Sequence, residues 1–374
     1  MGRVLGALLL LAGLSACGSS TPPSPTIPPI GGPAALQLQP VSFTEIPGWA
    51  EDDQSAALLA FRQSCRRILA LAPSAALPPA GLAGRSQDWQ TLCRQAGRLP
   101  AGDEGAARRF FEGAFQAYAL SDAGGSQGLF TGYYLPLVAG SRTPKPGYQA
   151  PLYRAPPDPG AYSRREIDAG ALAGKGLELV WLASPIDAFF VSVQGSAEVA
   201  LSDGRSMRVG VAATNGRGYV AIGRILIDRG EIPAEQMSLQ TLRAWLLAHP
   251  GEAQGLMEQN PRYVFFRELP NVGPTGGDPI GSQGAPLTAG RSLAVDAAFL
   301  PLGAPIFIET TDGTGAALRR LMVAQDTGGA IKGPLRADVY WGGGPDSEAL
   351  AGPMKSPGRL FLLLPRTVQP LGSS

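Results

Sequence analysis

Asp326 and Asp338, twelve residues apart, are the side chains in this sequence best suited to acid–base chemistry. The apolar run at residues 321–324 predicts a buried strand that ends at Asp326, and a second short apolar run brings in Asp338. Four residues between them force a tight turn: Gly328, Gly329, Gly333 and Pro334. Two carboxylates beside a glycine-rich loop suit proton transfer on a bulky polar substrate. We therefore predict that both carboxylates face one site.

Asp326 also has a structural interpretation. An aspartate followed by Thr-Gly-Gly is a common turn former, because its carboxylate accepts hydrogen bonds from nearby backbone N–H groups. The sequence leaves open whether Asp326 takes part in the chemistry or only shapes the turn, with Asp338 as the chemical member of the pair.

The composition sets limits on the function. The chain has 374 residues, of which 44% are apolar, so a sizeable core can form and wholesale disorder is excluded. A formal net charge of +1 gives no electrostatic reason to expect nucleic acid as a partner. The 50 glycines and 35 prolines favour a β-rich architecture with many turns.

The sequence gives little support to a metal, cofactor or histidine-based site. The single histidine, His249, ends a helical pattern just before Pro250, where a helix cap is expected. The sequence contains no Cys/His cluster, no calcium-loop spacing and no phosphate-binding glycine motif at a strand–helix junction. We expect no metal and no cofactor.

The first 17 residues have the pattern of a processing signal. Arg3 precedes an apolar stretch at residues 4–14 that is too short to span a bilayer. The Leu-Ser-Ala-Cys that follows resembles the lipobox of bacterial lipoproteins, which implies cleavage before Cys17 and lipidation of Cys17. Because Gly18 and not aspartate comes next, we expect a lipid anchor at the periplasmic face of the outer membrane. An ordinary secretory signal with a chance cysteine is the alternative.

Apolar residues spaced three and four apart predict three helices between residues 52 and 120, with Asp53 or Ser55 as the first N-cap. Their apolar faces are Leu58, Phe61, Cys65 and Ile68 in the first, Trp89, Leu92 and Cys93 in the second, and Phe111, Phe115 and Tyr118 in the third. In an exported protein Cys65 and Cys93 could form a disulfide, or both could be free thiols in the core. The sequence leaves both possibilities open.

Strand patterns dominate after residue 128, apart from two predicted helices. A short one begins at the capping box of Ser163 and Glu166 and runs to about Leu172, and another lies within residues 231–260 with Ser238 as its N-cap. The strands are expected at residues 177–183, 188–193, 197–201, 207–212, 304–309, 316–324 and 358–365. The middle region is predicted to be an all-β module of about 130 residues. The short, glycine-punctuated strands of the C-terminal region suggest a small barrel.

Two segments have side chains that suit carbohydrate. Tyrosines beside glycine at residues 130–134 could pack their aromatic faces on sugar C–H groups. Gln194, Gly195 and Ser196, at the end of a predicted strand, could offer amide and hydroxyl groups to sugar hydroxyls. Ordinary strand residues and a plain turn are the alternatives for these two segments.

Together these motifs resemble those of the family of membrane-bound lytic transglycosylase A, murein-cleaving lipoproteins of Gram-negative bacteria. The C-terminal stretch looks like the family's three-aspartate (3D) domain, whose aspartates match Asp296, Asp326 and Asp338. The resemblance covers roughly residues 125–366. Further matching motifs are Phe-Thr-Gly-Tyr-Tyr at 130–134, Val-Gln-Gly-Ser at 193–196, Ile-Asp-Arg-Gly-Glu at 227–231 and Asn-Pro-Arg-Tyr-Val-Phe-Phe at 260–266.

The resemblance implies a mainly β fold with N-terminal helices. A double-psi β-barrel domain would carry a second, inserted β-barrel-like domain, with the substrate groove between the two. The implied division is a signal peptide at 1–16, lipidated Cys17 and a Pro-rich tether at 17–40, a helical N-terminal part of the catalytic domain at 41–131, the inserted β domain at 132–270, and the barrel or 3D domain at 271–368.

The resemblance also implies a peptidoglycan lytic exotransglycosylase. It would cleave the β-1,4 bond between N-acetylmuramic acid and N-acetylglucosamine and form 1,6-anhydromuramic acid with a single aspartate. Asp338 would be the acid and base, Asp326 a second catalytic residue and Asp296 a supporting carboxylate. The substrate-binding residues would be Phe130, Thr131, Gly132, Tyr133, Gln194, Gly195, Ser196, Gly328, Gly329 and Lys332. The partners would be peptidoglycan glycan strands, the outer membrane through the lipid, and a cell-wall synthesis complex.

Two other functions fit parts of the sequence. Asp326-Thr327-Gly328 after an apolar strand is the active-site signature of aspartic proteases, but these need two such motifs and the sequence has one. A lipoprotein that only binds peptidoglycan would have the same composition, and only the carboxylate pair argues against it.

Overall fold

The computed structural model describes residues 36–269 and 279–370, together with Gly2. The predicted signal peptide, Cys17 and most of the tether lie outside the described residues. No helix in the described part is long and apolar enough to cross a membrane.

The N-terminal part consists of three helices flanked by strands. Asp53 is the N-cap of the first helix, because its side chain accepts a hydrogen bond from the Ser55 backbone N–H. The elements are β1 (Gln37–Val41), α1 (Gln54–Leu69), α2 (Ser86–Ala96), α3 (Glu104–Ala114), β2 (Phe115–Ser121) and β3 (Gly128–Leu135).

The third predicted helix is wrong at its C-terminal end. Helix α3 stops at Ala114, and Phe115 and Tyr118 belong to β2. Strand β2 pairs with both β1 and β14 (Lys355–Pro365), so two ladders of backbone hydrogen bonds hold this segment extended. A spacing of three or four apolar residues does not distinguish a buried strand from a helix face.

The middle region, residues 136–269, alternates strands and helices. Its elements are β4 (Leu137–Ser141), β5 (Ala150–Tyr153), α4 (Arg164–Asp168), β6 (Glu178–Leu182), α5 (Pro185–Gln194), β7 (Ser196–Leu201), β8 (Ser206–Thr214), α6 (Ile222–Asp228), α7 (Leu239–Ala248), α8 (Pro250–Met257) and β9 (Val264–Leu269). Its strands form one six-stranded sheet in the order β5-β6-β4-β7-β8-β9. We call this region the insert.

The prediction of an all-β middle module is wrong, and so is the strand predicted at residues 188–193. That segment is helix α5, which begins with Ser184 as N-cap and Pro185 in its first turn. The helix ends at Gln194, and Gly195 follows as its C-cap with a φ of +80°, the left-handed conformation common where helices stop. The short apolar run by itself fits either a strand or a helix, and the flanking residues favour the helix.

The C-terminal part closes a barrel. Its elements are β10 (Ser292–Val295), β11 (Pro305–Thr311), β12 (Ala317–Asp326), β13 (Arg336–Gly343), α9 (Pro345–Ala351) and β14 (Lys355–Pro365). Strands β14, β11, β12, β10, β13 and β3 pair in that order, and β3 pairs back with β14, so six strands form a closed ring. This arrangement confirms the predicted small barrel and the mainly β fold with N-terminal helices.

Buried polar contacts fix the N-terminal helices against the barrel. The Gln325 side-chain amide donates hydrogen bonds to Ala60 O (3.0 Å) and to Ser64 Oγ (2.9 Å) on α1. Arg291, just before β10, forms a buried ion pair with Asp52 just before α1, 2.8 Å between Nη1 and Oδ2. A buried hydrogen-bonded group that loses its partner is costly, so these contacts define one position of α1 on the barrel.

Cys65 of α1 and Cys93 of α2 form a disulfide, with their Cα atoms 5.3 Å apart. Of the two possibilities left open by the sequence, the bonded one is present. Both residues are buried in the core that the helices share with the barrel.

We expect the double variant Cys65→Ala/Cys93→Ala to lower the free energy of unfolding by about 2–5 kcal/mol. The bond closes a loop between residues 28 apart, and opening that loop gives the unfolded chain more conformational freedom. Denaturant titration of the variant, beside the parent protein with and without reductant, measures the loss. Equal midpoints for all three samples would contradict a stabilising disulfide.

Candidate active site

Five residues on adjacent strands form one row across the barrel wall. Lys355 on β14 pairs with Thr131 on β3, which pairs with Asp338 on β13. Ala294 on β10 pairs with Asp338 on one side and with Asp326 on the other. Neighbouring strands lie about 4.8 Å apart, so the backbones of the two aspartates are about 10 Å apart. Ala294, which lies between the two aspartates, has only a methyl side chain and also lines the groove described below.

The row lies on the outer face of the barrel. Ala337 and Val339, on either side of Asp338, are fully buried, and so is Phe130 beside Thr131. Because successive side chains of a strand point to opposite faces, Asp338 and Thr131 point away from the barrel interior. They face the insert.

A β-bulge brings Asp326 into this row. Leu293 pairs with Ala324 and the next residue, Ala294, pairs with Asp326, so Gln325 is one extra residue on β12. Such a bulge re-aims the side chains of its strand. Gln325 turns its amide toward α1, and Asp326 becomes the register partner of Ala294.

Asp338 is held by one hydroxyl, which an arginine fixes in turn. Thr131 Oγ1 donates to Asp338 Oδ1 at 2.6 Å and accepts from Arg336 Nη2 at 2.7 Å. Arg336 Nη1 also donates to the backbone oxygens of Leu129 (3.2 Å) and Ala337 (2.6 Å). Within the described residues, Asp338 Oδ2 has no hydrogen-bond donor. A proton on this carboxyl group is therefore placed on Oδ2, facing the groove.

Burial raises the pKa of Asp338 from its ordinary value of 3.8 to about 6, and the negative charge of Asp326 adds to that increase. The hydrogen bond from Thr131 and the charge of Arg336 act in the opposite direction. The carboxyl group is thus able to hold a proton near neutral pH and to give it up.

Asp326 is surrounded by four donors. Its Oδ1 accepts from Ser282 N (2.8 Å), Ser282 Oγ (2.7 Å) and Thr327 N (2.9 Å), and its Oδ2 accepts from the Tyr133 hydroxyl (3.1 Å). Burial and the two nearby aspartates raise the pKa of Tyr133 well above its usual value, so the phenol stays a neutral donor. The carboxylate joins the turn after β12, the segment around Ser282 and strand β3.

Asp296 has a different position and different contacts. It follows β10 and is 8% exposed, and its Oδ2 accepts from Gly333 N at 2.9 Å while its Oδ1 accepts from Ala298 N at 3.2 Å. It thereby holds the glycine-rich loop between β12 and β13. It is not among the residues that line the groove.

A groove with a cavity volume of about 440 Å³ separates the row from the insert. Most of the residues predicted from the sequence line it, which brings the two motif segments of the insert and the two aspartates together. They are Thr131, Gly132, Tyr133, Gln194, Gly195, Asp326, Gly328, Gly329 and Asp338.

Three predicted substrate-binding residues do not line this groove. Phe130 is fully buried in the core that includes the barrel interior. Ser196 is the first residue of β7, and Lys332 is exposed on the loop between β12 and β13.

Gly132 is required at its position by close packing. A Cβ atom there would lie 2.7 Å from Ala351 Cα and 2.8 Å from Trp341 Nε1. Helix α9 can therefore approach β3 closely, and the segment after α9, from Gly352 to Lys355, lines one side of the groove.

Sequence reasoning missed several residues of the groove. The position of Arg336 could have been predicted, because it stands two residues before Asp338 and so lies on the same face of the strand. Arg262 stands in the matched Asn-Pro-Arg motif, but nothing in that motif gave it a site role. Tyr219 and Asn260, from two loops of the insert, also line the groove.

In the part of the chain that the structure describes, no group of three or more His, Cys, Asp or Glu side chains is arranged to hold a metal ion. His249 lies away from the groove and stacks on Trp245, with ring centroids 4.3 Å apart.

The chain matches two family models. Residues 129–163 and 159–267 match the MltA specific insert domain, and residues 291–364 match the 3D domain. Membrane-bound lytic murein transglycosylase A of Vibrio cholerae is 36% identical over 297 residues, which is 76% of this chain and 78% of the relative. The protein of the same name from Escherichia coli K12 is 38% identical over 272 residues, or 70% and 72% of the two chains.

Solved structures agree with these sequence matches. The membrane-bound lytic murein transglycosylase of Agrobacterium tumefaciens has a TM-score of 0.78 at 34% identity, covering 88% of this chain and 98% of that one. Escherichia coli MltA with bound chitohexaose has a TM-score of 0.66 at 31% identity, covering 89% and 95%.

Proposed function

The chain belongs to the family of membrane-bound lytic murein transglycosylase A and is a peptidoglycan-cleaving lyase, and from that premise we propose that Asp338 alone performs both proton transfers of the reaction. Asp338 donates a proton to the oxygen between N-acetylmuramic acid and N-acetylglucosamine. The C1–O bond breaks, and an oxocarbenium-like centre forms at C1.

The second half of the reaction uses the sugar itself. The C6 hydroxyl of the muramic acid attacks C1, and the Asp338 carboxylate takes the hydroxyl proton. The product is 1,6-anhydromuramic acid, no water is consumed, and Asp338 ends protonated as it began. An internal nucleophile competes well with water, because tethered groups have very high effective molarities.

The observation that carries this proposal is the contrast between the two aspartates. Asp338 is partly buried, has its pKa raised to about 6, and has an Oδ2 that accepts no hydrogen bond from the described residues. Asp326 accepts four hydrogen bonds, three at Oδ1 and one from Tyr133 at Oδ2. Because donated hydrogen bonds stabilise a carboxylate and make it a weaker base, we assign Asp326 neither attack on the sugar nor activation of water.

The same contrast argues against an aspartic protease. Such an enzyme shares one proton between two adjacent aspartates, and the described residues place no second carboxylate in hydrogen-bond contact with Asp326.

We assign the remaining predicted residues as follows. Gln194, Gly195, Gly328 and Gly329 offer polar and backbone groups to the sugar, and Tyr133 offers an aromatic edge. We keep the division into residues 41–131, 132–270 and 271–368, in which the insert forms one wall of the groove and the barrel, including β3, forms the other. Cys17 carries the lipid that anchors the enzyme at the periplasmic face of the outer membrane, where a cell-wall synthesis complex could recruit it.

The test is to incubate residues 18–374, which lack the lipid anchor, with purified sacculi and to identify the released muropeptides by mass spectrometry. We expect fragments ending in 1,6-anhydromuramic acid. Intact sacculi would indicate a protein that only binds peptidoglycan, and reducing ends would indicate a hydrolase.

Burial raises the pKa of Asp338, and the hydrogen bond from the Thr131 hydroxyl lowers it, so Thr131 shifts the pH range in which Asp338 is protonated. Because the acid must carry a proton, activity should fall as the pH rises above about 6. The hydrogen bond from Thr131 stabilises the carboxylate and lowers the pKa, so its removal raises the pKa further. We expect Thr131→Val to move the alkaline limb of the pH–rate profile upward by about one pH unit.

Thr131→Ser is the matched control, since it keeps the hydroxyl, and its profile should stay at the parent position. A Thr131→Val profile that only drops in height without moving would show that Thr131 does not act through the proton of Asp338.

A further inference from the structure

The groove contains two cationic side chains that have no protein partner among the described residues. Arg262 lies on the insert side, and Lys355 lies at the end of the row beside Thr131. Neither forms an ion pair, and neither side chain donates a hydrogen bond within residues 36–269 and 279–370. Arg336, by contrast, donates hydrogen bonds to Thr131 and to two backbone oxygens.

These cations give the groove a positive balance. Three basic residues line it, Arg262, Arg336 and Lys355, against the two acids Asp326 and Asp338. When Asp338 holds its proton, the lining carries one negative and three positive charges, in a chain whose formal net charge is only +1. A groove with excess positive charge attracts an anionic ligand. A neutral polysaccharide would make no ion pair with these cations.

The backbone of Arg262 is fixed, and its side chain reaches across the groove. Buried Arg164 donates to the backbone oxygens of Arg262 (2.6 Å) and Asn260 (2.8 Å). The guanidinium lies against the glycine-rich loop, where a Cβ on Gly329 would be 3.1 Å from Nη1 and 3.3 Å from Cζ. Glycine at 329 therefore makes room for the guanidinium next to the turn that follows Asp326.

We propose that Arg262 is a subsite for a carboxylate carried by the muramic acid of the substrate, an inference that rests on the proposed function. N-acetylglucosamine has no carboxylate, whereas each muramic acid has a lactyl group that ends either in a free carboxylate or in a peptide with its own carboxylates. A guanidinium presents a planar fork that matches a carboxylate in a bidentate manner. The subsite distinguishes muramic acid from N-acetylglucosamine and so sets the register of the strand over Asp338.

The experiment compares glycans that differ only in their carboxylates. Binding is measured by calorimetry in the full chain carrying Asp338→Asn, which prevents turnover. The ligands are chitohexaose, a peptide-free muramyl glycan of the same length, and the same glycan with stem peptides. Arg262→Gln and Arg262→Lys are compared with the parent, and Arg66→Gln on the exposed face of α1 is the control for a lost positive charge.

We expect Arg262→Gln to weaken binding of at least one muramyl glycan by about tenfold and to leave chitohexaose within twofold of the parent. Arg262→Lys keeps the positive charge but not the planar fork of donors, so its affinity for the muramyl glycan should lie between those of the parent and of Arg262→Gln. A loss confined to the peptide-free glycan assigns the lactyl carboxylate, and a loss confined to the peptide-bearing glycan assigns the peptide carboxylates. The control Arg66→Gln should bind all three ligands like the parent.

Equal losses for chitohexaose and the muramyl glycans, or no loss for any of them, would overturn the carboxylate subsite. Failure of the proposed function is a separate outcome, since the parent chain with Asp338 intact would then release no anhydromuropeptides from sacculi.

Discussion

Replacement of Asp338 by Asn is expected to lower the rate of murein cleavage by at least ~10³-fold while the protein remains folded. General acid–base catalysis contributes about 10²–10⁴-fold to enzyme rates, and here one carboxyl group performs both the donation and the removal of a proton. The amide is nearly the same size and still accepts from Thr131, so the hydrogen bond to that hydroxyl is retained. Turnover of sacculi measured by muropeptide release gives the result.

Stability provides the second readout for this variant. A carboxyl group whose folded pKa is raised binds its proton more tightly in the folded state. Its contribution therefore favours folding at low pH and is lost as the pH rises from about 4 to about 6. Asparagine has no such penalty, so at pH 7.5 the variant should melt about 2 °C higher than the parent.

The control is Asp158→Asn on an exposed turn of the insert, where asparagine can still accept from Gly160 N. It should match the parent in both activity and stability. Near-normal muropeptide release by Asp338→Asn, with the control also active, would remove Asp338 from the mechanism.

Replacement of Asp326 by Ala is expected to reduce both stability and activity, because we assign this carboxylate a positioning role. The change leaves the two donors of Ser282, the Thr327 N–H and the Tyr133 hydroxyl without their acceptor. We expect a loss of about 1–3 kcal/mol in the free energy of unfolding and a roughly tenfold to hundredfold loss of activity. Denaturant titration and the sacculus assay on the same sample measure the two effects.

Asp326→Asn separates positioning from catalysis. Its side-chain oxygen still accepts from Ser282 and Thr327, so this variant should keep most of its stability and a measurable part of its activity. An Asp326→Asn protein that is fully stable and as inactive as Asp338→Asn would show that Asp326 takes part in the chemistry directly.

The location of the site could be predicted from the sequence, because the features that mark it lie close together along the chain. An apolar run that stops at Asp326, a glycine-rich loop and a second apolar run already require two strands joined nearby. Proximity of the two aspartates follows from that arrangement, since only β10 separates their strands. The first helix was equally readable, because its apolar stripe and its cap at Asp53 agree.

Other features depend on partners distant in sequence and could not be read in advance. Phe115 is extended because β14, about 250 residues later, pairs with it. The role of Thr131 depends on Arg336, which becomes its neighbour only when β3 pairs with β13. The bulge at Gln325, which aims Asp326 into the row, likewise exists only in the pairing of β12 with β10.

Helix α5 is a different kind of error, because its signals were present. Ser184-Pro185 and Gly195 are ordinary boundary residues of a helix, but the apolar run between them is short enough to fit a strand as well. The correction bears on the site, because Gln194 and Gly195 reach the groove from the end of a helix.

The origin of the oxygen at C1 of the product tests the central claim most directly. Sacculi are cleaved by the parent protein in water enriched in the heavy oxygen isotope, and each released muramic acid terminus is analysed by mass spectrometry. If the C6 hydroxyl attacks and Asp338 takes its proton, every terminus is an anhydro sugar without the heavy isotope. Termini that are reducing and carry one heavy oxygen at C1 would show that water attacks, which would contradict the single-aspartate transglycosylase.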